Sequence, residues 1–303
     1  MKKLLFLTAL AFSLLLTPSC RPENETNKIG IWLWSKYMAE IDLDEMARKD
    51  IKNVILHEVS FEKHGIDSTL AFIKEAQGKD IKVHIWFQCF YSGGQWINPV
   101  DDENNRYKQE YFDEVISRAM QYVGYGVDGI HLDYIRFGGT AWKHNPSEEI
   151  TAVGCVTEFC RQLNKAVKAA NPNVILSAAL MPEPYSEELY GQDPALMGQY
   201  MDVLMPMIYF RSGYNRKEAA WPVKVADYFA EKGAPAEVWA GITTYTANPD
   251  DTGVAPMSEE EILRDARIFK KSKAKGVVLF RYGLGTMPDM HFWNDEETDN
   301  TAK

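Results

Sequence analysis

The chain is short of cysteine: four in 303 residues, and no two are spaced as a CxxC pair. That excludes a disulfide framework and a zinc ribbon. Positive charge is also scarce. Lys and Arg number 33 against 43 Asp and Glu, for a net charge of −10 and a pI of about 5.2. No basic field is available for a nucleic-acid backbone. P-loop, GxGxxG and HExxH motifs are absent, so nothing calls for a nucleotide, a cofactor or a zinc-protease centre. The longest apolar run, Leu4 to Leu16, has 13 residues, too few to cross a bilayer.

That run follows the basic start Met1-Lys2-Lys3 and ends at Leu16-Thr17-Pro18-Ser19-Cys20, the layout of a secretion signal. The small residue before Cys20 resembles a bacterial lipobox, although Thr17 stands where Leu is usual. The expected organisation is a signal peptide over 1–19, a lipidated Cys20 with a polar tether over 20–28, and one folded domain over 29–303. An exported outer-membrane or periplasmic lipoprotein follows, held to the membrane through Cys20, with the folded part a monomer. Cys89, Cys155 and Cys160 read as small buried hydrophobes.

Aromatic residues are plentiful, with 8 Trp and 15 Tyr. The hydrophobic pattern gives eight short apolar strands: 29–34, 51–58, 81–88, 127–133, 174–180, 203–209, 238–243 and 276–282. Helices are expected over 42–50, 67–79, 106–123, 147–170, 193–200, 217–232 and 258–273. Alternation on this scale fits a single (β/α)8 TIM barrel, with an open doubly wound sheet as the alternative. Helix-to-strand connections are short and strand-to-helix connections long. This favours a barrel with long loops at the C-terminal face of its strands, where such barrels carry their sites.

The strand Val127-Asp128-Gly129-Ile130-His131-Leu132-Asp133 puts ionisable residues on one face and apolar ones on the other. The same period of two turns Trp32, Trp34, His57, His84, Trp86, Gln88, Met205, Met207, Tyr209, Val278, Phe280 and Tyr282 inward. Aromatic faces mixed with hydrogen-bonding groups at strand ends suit sugars, whose rings have apolar faces and polar edges. Asp133 ends the fourth strand. Glu183 follows the fifth, in a Pro-flanked loop. Carboxyls on neighbouring strands could flank a glycosidic bond, one as proton donor and one as nucleophile or base. Glu58 is the reserve acid. Trp34, His57, Glu58, Trp86, Gln88, His131, Arg136, Tyr209, Arg211 and Tyr282 are the expected substrate-binding set, with His131 touching sugar or tuning Asp133.

The segment Asp128-Gly129-Ile130-His131-Leu132-Asp133-Tyr134-Ile135-Arg136-Phe137 resembles the fourth-strand signature of the glycosyl-hydrolase-like barrels, relatives of the α-amylase and α-galactosidase barrels. Gly30-Ile31-Trp32-Leu33-Trp34, Asn171-Pro172-Asn173-Val174, 202–209 and 276–283 agree with it. The resemblance implies carbohydrate hydrolysis, on polysaccharide taken up as food or on peptidoglycan glycan strands. It also implies Asp133 as nucleophile and Glu183 as acid/base. The α-amylase pattern carries Arg where this chain has His131. Two rival functions are a non-catalytic carbohydrate-binding lipoprotein and a metal-dependent hydrolase using His57, His84, His131 and Asp133.

Overall fold

The computed structural model describes residues 28–183, 186–211, 220–247 and 253–294. The expected signal peptide, the expected lipidation site Cys20 and most of the expected tether lie outside the described residues. Eight parallel strands close into a barrel: β1 (Ile29–Leu33), β2 (Asn53–His57), β3 (Lys82–Gln88), β4 (Gly129–Asp133), β5 (Ile175–Leu180), β6 (Val203–Pro206), β7 (Glu237–Thr243) and β8 (Gly276–Phe280). Each strand pairs with its sequence neighbours, and β8 pairs with β1 to close the ring. Helices α1 (Leu43–Arg48), α2 (Ile66–Gly78), α3 (Gln109–Gly124), α4 (Ala152–Ala170), α5 (Pro194–Met197), α6 (Trp221–Lys232) and α7 (Glu259–Ile268) lie between them. The (β/α)8 expectation holds.

Local chemistry sets the helix limits. Asp42 caps α1 by accepting from the Glu45 amide at 2.9 Å, and Ser258 with Glu261 forms the expected capping box on α7. Helix α4 starts five residues later than the pattern suggested. Thr151, not Ser147, is its cap, accepting from the Gly154 amide at 2.9 Å, while Ser147 closes a turn onto the Ile150 amide. Helix α3 starts at Gln109 because Arg106–Tyr107 is paired with Val100–Asp101 in a small hairpin. The beginning expected for α6, at Lys217, lies outside the described residues.

Outward residues such as Val83, Ile85, Phe87, Leu204 and Ile208 join the large core beneath the helices. Inward residues form a second cluster inside the barrel: Trp32, Ile55, Trp86, Met205, Trp239 and Val278, with Trp34 and Phe280 against it. So many rings fit because the inward positions 129 and 241 carry no side chain. A Cβ on Gly129 would lie 2.1 Å from His84 Nδ1, and one on Gly241 would lie 3.1 Å from the Trp32 ring. Cys89, Cys155 and Cys160 are free and buried, as expected.

Three imidazoles share this interior. His84 meets Asn53 Oδ1 at 3.2 Å. Trp32 Nε1 donates to His131 Nε2 at 3.2 Å, so His131 carries its proton on Nδ1 and donates to Ser177 Oγ at 2.9 Å. His57 Nδ1 accepts from the Val59 amide at 3.3 Å. Burial pushes His84 and His131 down to about 3 and His57 down to about 4.

Two predictions follow for stability. Gly129→Ala should cost about 1–3 kcal/mol by overpacking His84, read as a lower urea midpoint. The histidines should also make stability pH-dependent. Unfolded, each titrates near 6.5; folded, each resists protonation. Stability is therefore full above pH 6.5 and falls as pH drops towards the folded values. Each histidine should contribute a slope of about 1.4 kcal/mol per pH unit within that window, measured by urea unfolding between pH 7 and 4.5.

Candidate active site

A cavity of about 210 Å³ opens at the C-terminal end of the barrel. β1 supplies Trp32 to its wall and Trp34 follows directly after it, while β3 supplies Trp86 and Gln88. Asp133 ends β4, with Tyr134 and Arg136 just beyond. Ala179 of β5, Met207 and Tyr209 beyond β6, and Phe280 of β8 complete it.

Asp133 is held from two sides. Trp86 Nε1 donates to Oδ2 at 2.9 Å, and the Tyr134 amide donates to Oδ1 at 2.7 Å. Gln88 and Asp133 are register partners across β3 and β4, with Trp86 opposite His131, so the indole reaches the carboxyl one level up. Burial raises the carboxyl above the ordinary aspartate value. The two hydrogen bonds and the charge of Arg136 pull it back without cancelling the shift. Asp133 is thus suited to hold a proton. Tyr209 stacks on Phe280 at 5.2 Å. Burial, reinforced by the nearby Asp133, drives its phenol well above the usual value, so it stays protonated.

The inward parity of Trp34, Trp86, Gln88, Asp133 and Tyr209 places all five on the cavity wall, with Arg136. Five of the expected substrate-binding residues lie elsewhere. His131 points inward but sits a layer down, bonded to Trp32 and Ser177, and Trp32 forms the wall in its place. His57 stacks behind Trp34 at 4.9 Å and meets Trp86 edge-on. Glu58 turns away from the barrel because β2 ends at His57 and a short helix, Ser60–Lys63, begins. It accepts from Tyr122 Oη at 2.8 Å and pairs with Arg118 of α3 at 3.4 Å. Arg211 lies beyond the end of β6 and grips Asp265 of α7 through two bonds of 2.7 and 2.6 Å. Tyr282 lies past the end of β8, edge-on to Tyr37, and donates to the Glu40 carbonyl.

Glu183 stands in the loop after β5. Its Oε2 is buried and has no hydrogen-bond partner among the described residues, and it is not part of the cavity wall. Asp133 is the one carboxylate on that wall among the described residues. The metal reading loses its ligand set. Among the described residues no group of three or more His, Cys, Asp or Glu is placed to hold an ion, and His84 and His131 are engaged with other partners.

Sequence reasoning missed Tyr134 and, beside the cavity, Tyr91 and Trp96. Tyr134 has φ of 51°, an uncommon conformation for a residue of its size, and stacks on Tyr91 at 4.7 Å. Tyr91–Ser92 pairs with Gln95–Trp96 across Gly93-Gly94. That Gly-Gly pair between aromatic residues was a readable hairpin signal.

Comparison with known proteins gives the same architecture. The glycoside hydrolase domain of PgaB (BpsB) from Bordetella bronchiseptica superposes with a TM-score of 0.60 at 12% identity, covering 84% of this chain and 94% of that one. A chitinase from Chromobacterium violaceum gives 0.57 at 15% identity, covering 88% and 96%. A GH18 chitinase from Pseudoalteromonas aurantia gives 0.56 at 17%, covering 84% and 94%. No curated protein sequence matches the chain. Residues 65–247, more than half of the chain, match the profile of the family described as "putative glycosyl hydrolase domain", and to that family this barrel belongs.

Proposed function

We propose that the protein is a glycoside hydrolase in which Asp133 is the general acid. The observation that carries this is a carboxyl that burial raises above its ordinary value, on the wall of a cavity lined mainly by indole, phenol and phenyl rings. Proton transfer from Asp133 to the glycosidic oxygen turns that oxygen into a leaving hydroxyl as the anomeric carbon gains oxocarbenium character. Trp34, Trp86 and Phe280 offer faces to the ring C–H groups, while Gln88, Tyr209 and Arg136 offer donors to its hydroxyls.

The second half of the reaction needs a nucleophile. One wall carboxylate among the described residues suits an N-acetylated amino-sugar glycan, whose own acetamido oxygen attacks the anomeric carbon while Asp133 serves as acid and then base. The likeness to chitinases supports that choice. A second reading pairs Asp133 with Glu183, one strand along, whose buried and unpartnered Oε2 would join the cavity as substrate binds. We further propose export and lipid attachment at Cys20, supported by the basic start, the apolar run and Ser19-Cys20.

Asp133→Asn should lower turnover by about 10²–10⁴ while binding of the same glycan survives, assayed by reducing-end release and calorimetry. Binding without turnover in the wild type would instead support a carbohydrate-binding protein. Glu183→Gln separates the two nucleophile readings: near-normal turnover favours the acetamido route, and collapse favours the pair. The pH profile carries a sign. Protonated Asp133 is the active form, so kcat/KM should hold at low pH and fall as pH rises through the elevated value. An alkaline limb at the ordinary aspartate position would contradict the acid role.

A further inference from the structure

A cavity of about 210 Å³ is small beside the ~300–1,000 Å³ typical of ligand pockets. A sugar chain longer than a unit or so must continue outside it. An aromatic strip leaves the cavity at Tyr134. Tyr134 lines the wall and stacks on Tyr91 at 4.7 Å and 17°. Trp96 packs against both, 5.5 Å from Tyr134 and 5.2 Å from Tyr91. The Arg136 guanidinium, itself on the cavity wall, lies 4.7 Å from the Trp96 ring centre and 5.2 Å from that of Tyr134.

The position of Trp96 is built. Its hairpin turns through Gly93 and Gly94, both at positive φ, and the chain after β4 comes so close that a Cβ on Gly138 would lie 2.6 Å from the indole. Yet Trp96 remains 42% exposed. A tryptophan fixed on several sides and still open to water is a surface for a ligand rather than a core residue. It stands where a chain leaving Asp133 would pass.

Resting on the glycosidase reading above, we propose that Trp96, with Tyr91 and Tyr134, forms a second sugar subsite, so that the substrate is a glycan chain spanning cavity and hairpin. The indole stacks on a pyranose face, and Arg136 lies between the two positions to hydrogen-bond the linking units.

The test uses full-length Asp133→Asn protein as a non-cleaving binder. The probes are size-graded oligosaccharides, from two to six units, prepared from chitin, β-glucan and peptidoglycan glycan strands, with affinity read by calorimetry. Affinity should rise with chain length. Adding Trp96→Ala should abolish that rise, weakening the longest ligand about tenfold, equivalent to ~1.4 kcal/mol, and leave the shortest unchanged. Trp96→Phe should restore most of the gain, which excludes mere unfolding of the hairpin. The same length dependence with and without Trp96 overturns the subsite while leaving the glycosidase reading intact. Failure of every probe to bind overturns the glycosidase reading itself, and the subsite with it.

Discussion

The bond from the Trp86 indole to the Asp133 carboxyl is the interaction on which the site depends. It links β3 to β4 across the barrel interior, fixes the carboxyl, and brings a large apolar ring against it. A hydrogen bond of this kind favours the ionised form, whereas exclusion of water favours the neutral one. Here exclusion prevails, with the direction of the Asp133 shift set by burial. The same arrangement requires a wide interior. Gly129 and Gly241 make room for His84 and Trp32, and neutral imidazoles fill positions where charged groups could not be stabilised. Fold and acid strength thus arise from one packing solution.

The barrel was legible because its signal is periodic. Alternation along β1, β3, β4 and β6 assigned inner and outer faces correctly from Ile31 to Ile208. The site was legible as far as the period of two persisted. Parity found Trp86, Gln88 and Asp133 within strands, and Trp34 and Tyr209 just past the ends of β1 and β6. Glu58, Arg211 and Tyr282 also lie past strand ends, where that period need not dictate direction, and each was misplaced. There an available counter-charge or carbonyl decided: Arg118 for Glu58, Asp265 for Arg211, Glu40 for Tyr282. His131 failed differently. Parity gives the face but not the depth, and two residues along a strand separate a floor position from the wall. The hairpin bearing Trp96 was hidden within a segment read only as a long loop.

Asp133 as the one wall carboxylate among the described residues changes the chemistry first inferred. The sequence resemblance made Asp133 a nucleophile paired with Glu183. In the structure burial raises the Asp133 carboxyl, which is the basis of the proton-donor proposal, and Glu183 is off the wall. Solved barrels of the same fold include chitinases, whereas the α-amylase relation was a resemblance of sequence motifs. An acid in an aromatic pocket is common ground between the two mechanisms. They differ in where the nucleophile comes from, which is a property of the loop after β5 and of the substrate.

The most direct test of this account is the ionisation of Asp133 itself. Carboxyl ¹³C NMR of the wild type, with the resonance assigned by its loss in the Asp133→Asn protein, follows that one group through pH. The account predicts that the resonance titrates clearly above the ordinary aspartate value of 3.8. A midpoint at or below that value would show that Trp86, the Tyr134 amide and Arg136 outweigh burial, and would contradict the role of Asp133 as proton donor.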